Sequence, residues 1–184
     1  MNINEATIAL IKRWEGFRAA AYRCPAGHWT IGYGITAMAG IGVKPAPGMR
    51  VTEAEADRHL RQALDRFAAQ IRPAITAPIN ENEFGAFLSL AYNIGPGGFR
   101  GSSALRHFNA GDKARAAASI KLWNKATVNG KKVTMQGLVN RRADEVRLFL
   151  TPAAPTYERP KTEEPAPSGW AAFVAALLRL FRRD

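Results

Sequence analysis

The sequence predicts an α+β domain, mainly α, in two lobes: a small β-hairpin lobe and a helical lobe, joined by a long connecting helix. Three observations carry that expectation. Apolar residues recur at helical spacing in most segments between residues 3 and 150. One glycine-bent stretch of strand type, residues 17–36, interrupts them near the start. A long helix with its own capping signal opens at Thr52 and can join two lobes.

In chain order, residues 3–14 carry Ile3, Ile8, Leu10, Ile11 and Trp14 mostly at helical spacing, with Asn2 or Asn4 as N-cap and Gly16 as the stop. Glu15 then falls at the helix C-terminus. Free carbonyls there carry partial negative charge and disfavour ionisation, the direction a general acid needs; an arginine from elsewhere would oppose it. Residues 17–36 read as strand–turn–strand. Pro25, Ala26 and Gly27 make the turn, and Gly32 and Gly34 mark a bend or a close backbone approach. Residues 37–50 are Gly/Pro-rich loop. Thr52 and Glu55 form a capping box for a helix whose Leu60, Leu64, Phe67 and Ile71 point to a core, and Pro73 and Pro78 end it. Asn80 caps residues 81–95, apolar on most faces and therefore central, closing on the glycine-rich GPGGFRG. Ser102 or Ser103 starts the next helix and Asp112 another. Asn129-Gly130 signals a small hairpin, and residues 137–150 make the last helix of the globular part.

Three segments follow: a domain over 1–150, a Pro-rich linker over 151–168, and an amphipathic cationic helix over 169–184. In the last, Trp170, Phe173, Leu177 and Phe181 share one helical face. Arg179, Arg182 and Arg183 lie toward the end and the other side. That pattern fits an interfacial membrane helix, or an accessory helix that docks on protein.

The net charge of +11 points to a polyanionic partner: cell wall, lipopolysaccharide, acidic membrane or nucleic acid. No RNP, zinc-finger or P-loop spacing occurs, so nucleic acid is set aside. The single cysteine excludes an intramolecular disulfide. No histidine pair or second cysteine offers metal-ligand spacing, so neither a metal nor another cofactor is expected. The N-terminal segment has Glu5 where a signal peptide is basic, and no run reaches the roughly 18 apolar residues of a membrane span. The expected protein is a monomer made in the cytoplasm.

Chemistry concentrates in WEGFRAAAYRCPAGHWTIGYGIT, residues 14–36. Glu15 has apolar neighbours in Trp14 and Phe17. Cys24 lies in a turn beside Arg23, which would favour the thiolate, and that is an odd place for core filler. Thr30 by itself reads as a strand residue. Glu15-Gly16 at a helix end, Tyr22-x-Cys24, then Thr30-Ile-Gly-Tyr-Gly-x-Thr36 resembles the phage-type lysozymes, the T4-like and lambdoid endolysin group of glycoside hydrolases. The resemblance continues through residues 87–112 and 137–150, so it covers about 1–150.

That resemblance implies a lysozyme-like fold and hydrolysis of the β-1,4 bond between N-acetylmuramic acid and N-acetylglucosamine in peptidoglycan, with inversion. Glu15 matches the general acid and Thr30 the residue that helps hold the attacking water. Cys24 stands where most relatives have an aspartate. Tyr92, Asn93 and Ser102 or Ser103 match substrate-cleft positions, and Arg141 or Arg142 matches the arginine that pairs with the acid. Ile35 stands where many relatives have a mainly structural histidine. Action at the wall would follow holin-type release, with the terminal helix on anionic membrane or lipopolysaccharide. Three alternatives stay open: a lytic transglycosylase, a cellular muramidase that remodels wall, and a non-enzymatic cationic protein that perturbs membranes.

Overall fold

Helix α1 (Glu5–Glu15) begins at Asn4, whose side-chain oxygen accepts from the Thr7 amide at 3.0 Å. It stops at Gly16, where a φ of +67° suits a residue without a Cβ. The computed structural model describes residues 3–24, 26–128 and 130–153. Asn4 is therefore the cap of α1, and Glu15 is the helix's last residue, as the glycine stop implied.

The segment after α1 forms three strands rather than two. Strands β1 (Arg18–Arg23), β2 (Trp29–Gly32) and β3 (Ile35–Thr36) pair antiparallel in that order. The additional reversal comes from Gly32 and Gly34, both at positive φ, which turn the chain back at Tyr33. Ile31, Tyr33 and Ile35 are buried. The sheet packs against helix α2 (Glu53–Ile71) so closely that a Cβ at Gly32 would lie 2.9 Å from the Ala56 Cβ.

Both halves of the Thr52/Glu55 capping box are made at the start of α2. Leu60, Leu64 and Ile71 are fully buried, but Phe67 is not the core residue its spacing suggested. It is half-buried with its ring 5.0 Å from that of Tyr92, because the helix face carrying it turns to a groove. A 3-10 turn over Arg72–Ala74, containing Pro73, ends the run.

Helix α3 (Glu81–Arg100) is capped by Asn80 and Glu83, and Phe84–Ala91 are all buried. It packs against α1 and α2, so its apolar circumference does mark the central helix. The expected stop at Gly95 is a kink instead. Gly95 has φ 81° and ψ 153°, and helix resumes through Arg100. Pro96 fits the first turn of that second segment, where its missing amide costs no hydrogen bond. Ser102, not Ser103, caps helix α4 (Ser103–Asn109), and Asp112 caps helix α5 (Lys113–Ile120).

Strands β4 (Lys125–Val128) and β5 (Lys131–Thr134) form the second hairpin; Asn129 of its expected turn lies outside the described residues. Helix α6 (Gln136–Leu150) returns across α3 and α1. The core centres on Phe87, whose ring lies 5.1 Å from Phe99, 5.1 Å from Phe108 and 5.3 Å from Phe149. Truncating such a ring to alanine costs about 3–5 kcal/mol.

The globular unit spans Met1–Ala153. The Asn82 amide donates to the carbonyls of Thr151 and Pro152, 3.1 Å each, and fastens the chain at its end. Beyond Ala153 the expectations for the linker and for the cationic helix from Trp170 to Arg183 lie outside the described residues. Among the described residues no helix is long and apolar enough to cross a membrane.

Candidate active site

The end of α1, the turn between β2 and β3, and one face each of α2 and α3 meet around a cleft of about 280 Å³. Glu15, Gly34, Met38, Phe67, Tyr92 and Asn93 line it. Glu15 reaches this cleft because Gly16 ends α1 there and Gly34 leaves room. A Cβ at Gly34, itself at φ +80°, would stand 3.0 Å from Glu15 Oε2. Glu15 is the one carboxylate among the cleft's described lining residues.

The choice between two arginines resolves in favour of Arg141. Its Nη1 donates to Glu15 Oε1 at 2.9 Å, with the arginine side chain 5% exposed and the glutamate 19%. Arg142 points elsewhere and donates to Asn93 Oδ1 at 3.1 Å. The arginine paired with Glu15 thus arrives from α6.

Tyr92 and Asn93 both line the cleft, side by side on α3. The Tyr92 hydroxyl donates to the Tyr33 carbonyl at 3.0 Å, tying α3 to the β2–β3 turn. Burial, and after it the nearby Glu15, push the Tyr92 phenol well above its ordinary value, so it stays a donor.

Cys24 and Thr30 sit together, one step back from this cleft. Tyr22 pairs with Thr30 across β1 and β2, and neither Cys24 nor Thr30 lines the pocket that Glu15 lines. Thr30 is buried, its hydroxyl donating to the His28 carbonyl at 3.1 Å. Cys24 is half-buried. Burial pushes its thiol up, but hydrogen bonds from the backbone of His28 and Ala26 lead the opposing causes, so the net shift is downward. The direction matches the expectation from Arg23, but the cause differs. Arg23 donates to the Gly27 carbonyl at 2.8 Å and stacks 5.1 Å from the Trp29 ring. Tyr22 is near enough to feel both Glu15 and Cys24: burial raises its phenol first, and both groups add to the rise.

Ser102 and Ser103 are not brought to the Glu15 cleft. Ser102 is buried with its hydroxyl accepting from the Leu105 amide at 3.2 Å. Both serines line a separate depression of about 430 Å³ with Trp123, Lys125 and Lys132. Among the described residues no group of three or more His, Cys, Asp or Glu could hold a metal ion.

Sequence reasoning missed Phe67 and Met38 as cleft residues, and it missed Ser89 and Glu145, buried behind Arg141. Ser89 Oγ donates to Glu145 Oε1 at 2.8 Å, and the same oxygen accepts from both arginines. A signal was available for Glu145: it follows Arg141 by four residues and Arg142 by three, the spacings at which helix side chains meet.

A sequence profile of the family described as Phage lysozyme matches residues 12–145. The endolysin of Acyrthosiphon pisum secondary endosymbiont phage 1 is 40% identical over 149 residues, which is 81% of this chain and 98% of that protein. The solved endolysin from Escherichia coli O157:H7 phage FAHEc1 superposes with a TM-score of 0.76 at 38% identity, covering 84% of this chain and 97% of that one. The muramidase domain of SpmX from Asticaccaulis excentricus gives 0.75 at 37% identity, covering 82% and 99%. The chain belongs to the phage lysozyme family.

Proposed function

We propose that this chain is an endolysin: a muramidase that hydrolyses the β-1,4 bond between N-acetylmuramic acid and N-acetylglucosamine in peptidoglycan and so lyses the cell. The observation that carries the reading is Glu15 in a cleft, held by Arg141 at 2.9 Å, with glycine backbone opposite. A glycosidase acid must sit in a groove, be fixed in direction, and have space for the leaving oxygen beside it.

In this reading Glu15 gives its proton to the glycosidic oxygen as the bond to the anomeric carbon breaks. A water held near Thr30 and Cys24 attacks the opposite face of the sugar, and its proton passes to the Cys24 thiolate, which gives inversion. Hydrogen bonding that favours the thiolate supports a base at that position. The net charge of +11 suits an anionic wall. The site of action is the wall, reached after holin-type release. Segment 169–184 is proposed, on its sequence alone, to engage anionic membrane or lipopolysaccharide.

A second reading, a lytic transglycosylase, is favoured by one observation: Glu15 is the cleft's single carboxylate among the described residues. Mass spectrometry of the released muropeptides separates the two. Hydrolysis yields reducing N-acetylmuramic ends. Products ending in 1,6-anhydro sugars would replace the hydrolase reading with the transglycosylase.

A further inference from the structure

Glu145 is the one acidic side chain of α6 with no exposed surface among the described residues. Burying a carboxylate is costly unless cations and donors surround it. Glu145 Oε1 collects three: Ser89 Oγ at 2.8 Å, Arg142 Nη2 at 3.0 Å and Arg141 Nε at 3.3 Å. Each arginine then extends to a residue of the cleft. Arg141 Nη1 reaches Glu15 at 2.9 Å, while its Nη2 donates to the Ser89 carbonyl at 3.4 Å. Arg142 Nη2 reaches Asn93 at 3.1 Å. All three nitrogens of the Arg141 guanidinium are therefore engaged, on three different partners, and the plane of the group is fixed.

We infer that Glu145 is a positioning residue for the reaction: from behind the cleft it sets the orientation of Arg141, and through it the direction of Glu15, and with its second arginine it sets Asn93. This rests on the reading of Glu15 as the acid. Charge counting supports it. Arg141 and Arg142 bring two buried guanidiniums together, and the carboxylate of Glu145 is the anion they share. Burial pulls Arg142 down to about 10 and pushes Glu145 up, and each charge opposes the shift of the other. An arginine that only had to neutralise Glu15 would not need its Nε held. The guanidinium is planar and rigid, so holding Nε on Glu145 also sets the direction of Nη1 toward Glu15.

The test compares Glu145→Gln and Glu145→Asp with the wild type. Glutamine keeps the volume and an acceptor oxygen but no charge; aspartate keeps the charge and falls one methylene short. The readouts are kcat and KM on purified peptidoglycan well below each variant's melting temperature, and solvent exchange of the Arg141 Nε–H in protein labelled with 15N-arginine. The expected result is a kcat lower by about tenfold or more with KM within about twofold, in step with faster exchange at Arg141 Nε. Should a variant melt below the assay range, Ser89→Ala removes one donor to Glu145 and is expected to move kcat and the Nε exchange the same way by less. Variants that melt earlier but keep wild-type kcat and a protected Arg141 Nε–H overturn the inference. A wild type that releases no reducing ends sinks the hydrolase reading instead, and the Nε exchange still decides whether Glu145 orients Arg141.

Discussion

The two β-hairpin regions make an instructive pair. In β1–β3 the strands lie against α2, Thr30 to Gly32 are buried, and Gly32 meets Ala56 with no room for a Cβ. In β4–β5 every residue of the second strand is exposed, and Val128 and Val133 show 44% and 43% of their surface. Both are antiparallel and turn at glycine, yet the first lies against α2 while the second leaves most of its residues exposed. A two-stranded hairpin is marginal alone, so the second takes its shape from its neighbours in sequence, whereas the first is pinned by the core. A site needs the pinned kind: α2 packs on the sheet and Tyr92 of α3 ties its β2–β3 turn, which holds that turn beside Glu15.

The sharpest way to break that contrast is at Glu15. Glu15→Gln should lower lytic activity by about 10³-fold with an unchanged melting temperature, read by turbidity clearance of permeabilised cells. Clearance that persists while deletion of 151–184 abolishes it would move the activity to the tail. Next is Cys24. Its thiol lies below the ordinary value, so the thiolate grows in at lower pH than in free cysteine, and activity should rise with pH through that range. Cys24→Ser should remove this limb and cost about 10²-fold, and Cys24→Asp should move it to lower pH. A serine variant with the wild-type pH–rate profile would leave the thiol with no chemical role.

Gly34→Ala tests the pinned turn itself. It adds a Cβ 3.0 Å from Glu15 Oε2 at a φ of +80°, so both activity and stability should fall, the latter by about 1–3 kcal/mol in chemical denaturation. The matching change in the other hairpin, Val133→Thr, should stay within about 0.5 kcal/mol. A Val133→Thr loss as large as that at Gly34 would erase the difference between the two regions.

A further small effect concerns the ion pairs between α1 and α2. Hydrogen bonds from Arg61 and then Lys12 hold the Asp57 carboxyl below its ordinary value. A carboxylate shifted down in this way adds stability above its unfolded value of about 4, and that stability is lost as pH falls through the lowered folded value. Asp57→Asn should therefore cost up to about 1 kcal/mol at pH 7 and progressively less below pH 4, measured by melting at each pH.

Local signals in the chain were enough for much of this. Asn4, Thr52 with Glu55, Asn80 and Asp112 announce helix starts because a cap satisfies amides only a few residues away. Gly16 fixes the end of α1 and with it the place of Glu15. The same local logic failed at Gly95, where a glycine-proline pair that reads as a stop is a kink between two helical segments. It also failed at Phe67, whose core spacing says nothing of the groove its face meets.

The sequence by itself thus determined the α+β class, the order of elements, and Glu15 at a helix end before a glycine-bent sheet. The fold decided what meets what. Arg141 and Arg142 are neighbours separated by about 100° around a helix, and no local rule says which direction faces Glu15, 126 positions away. Nor could spacing turn the Ser102 cap toward a second depression, or bring Ser89 to the oxygen of Glu145 that its helix neighbours share. The Ser89–Glu145 and Arg141–Glu15 contacts join residues distant in sequence. They are fixed by how α1, α3 and α6 pack, a property of the whole core that no single stretch contains.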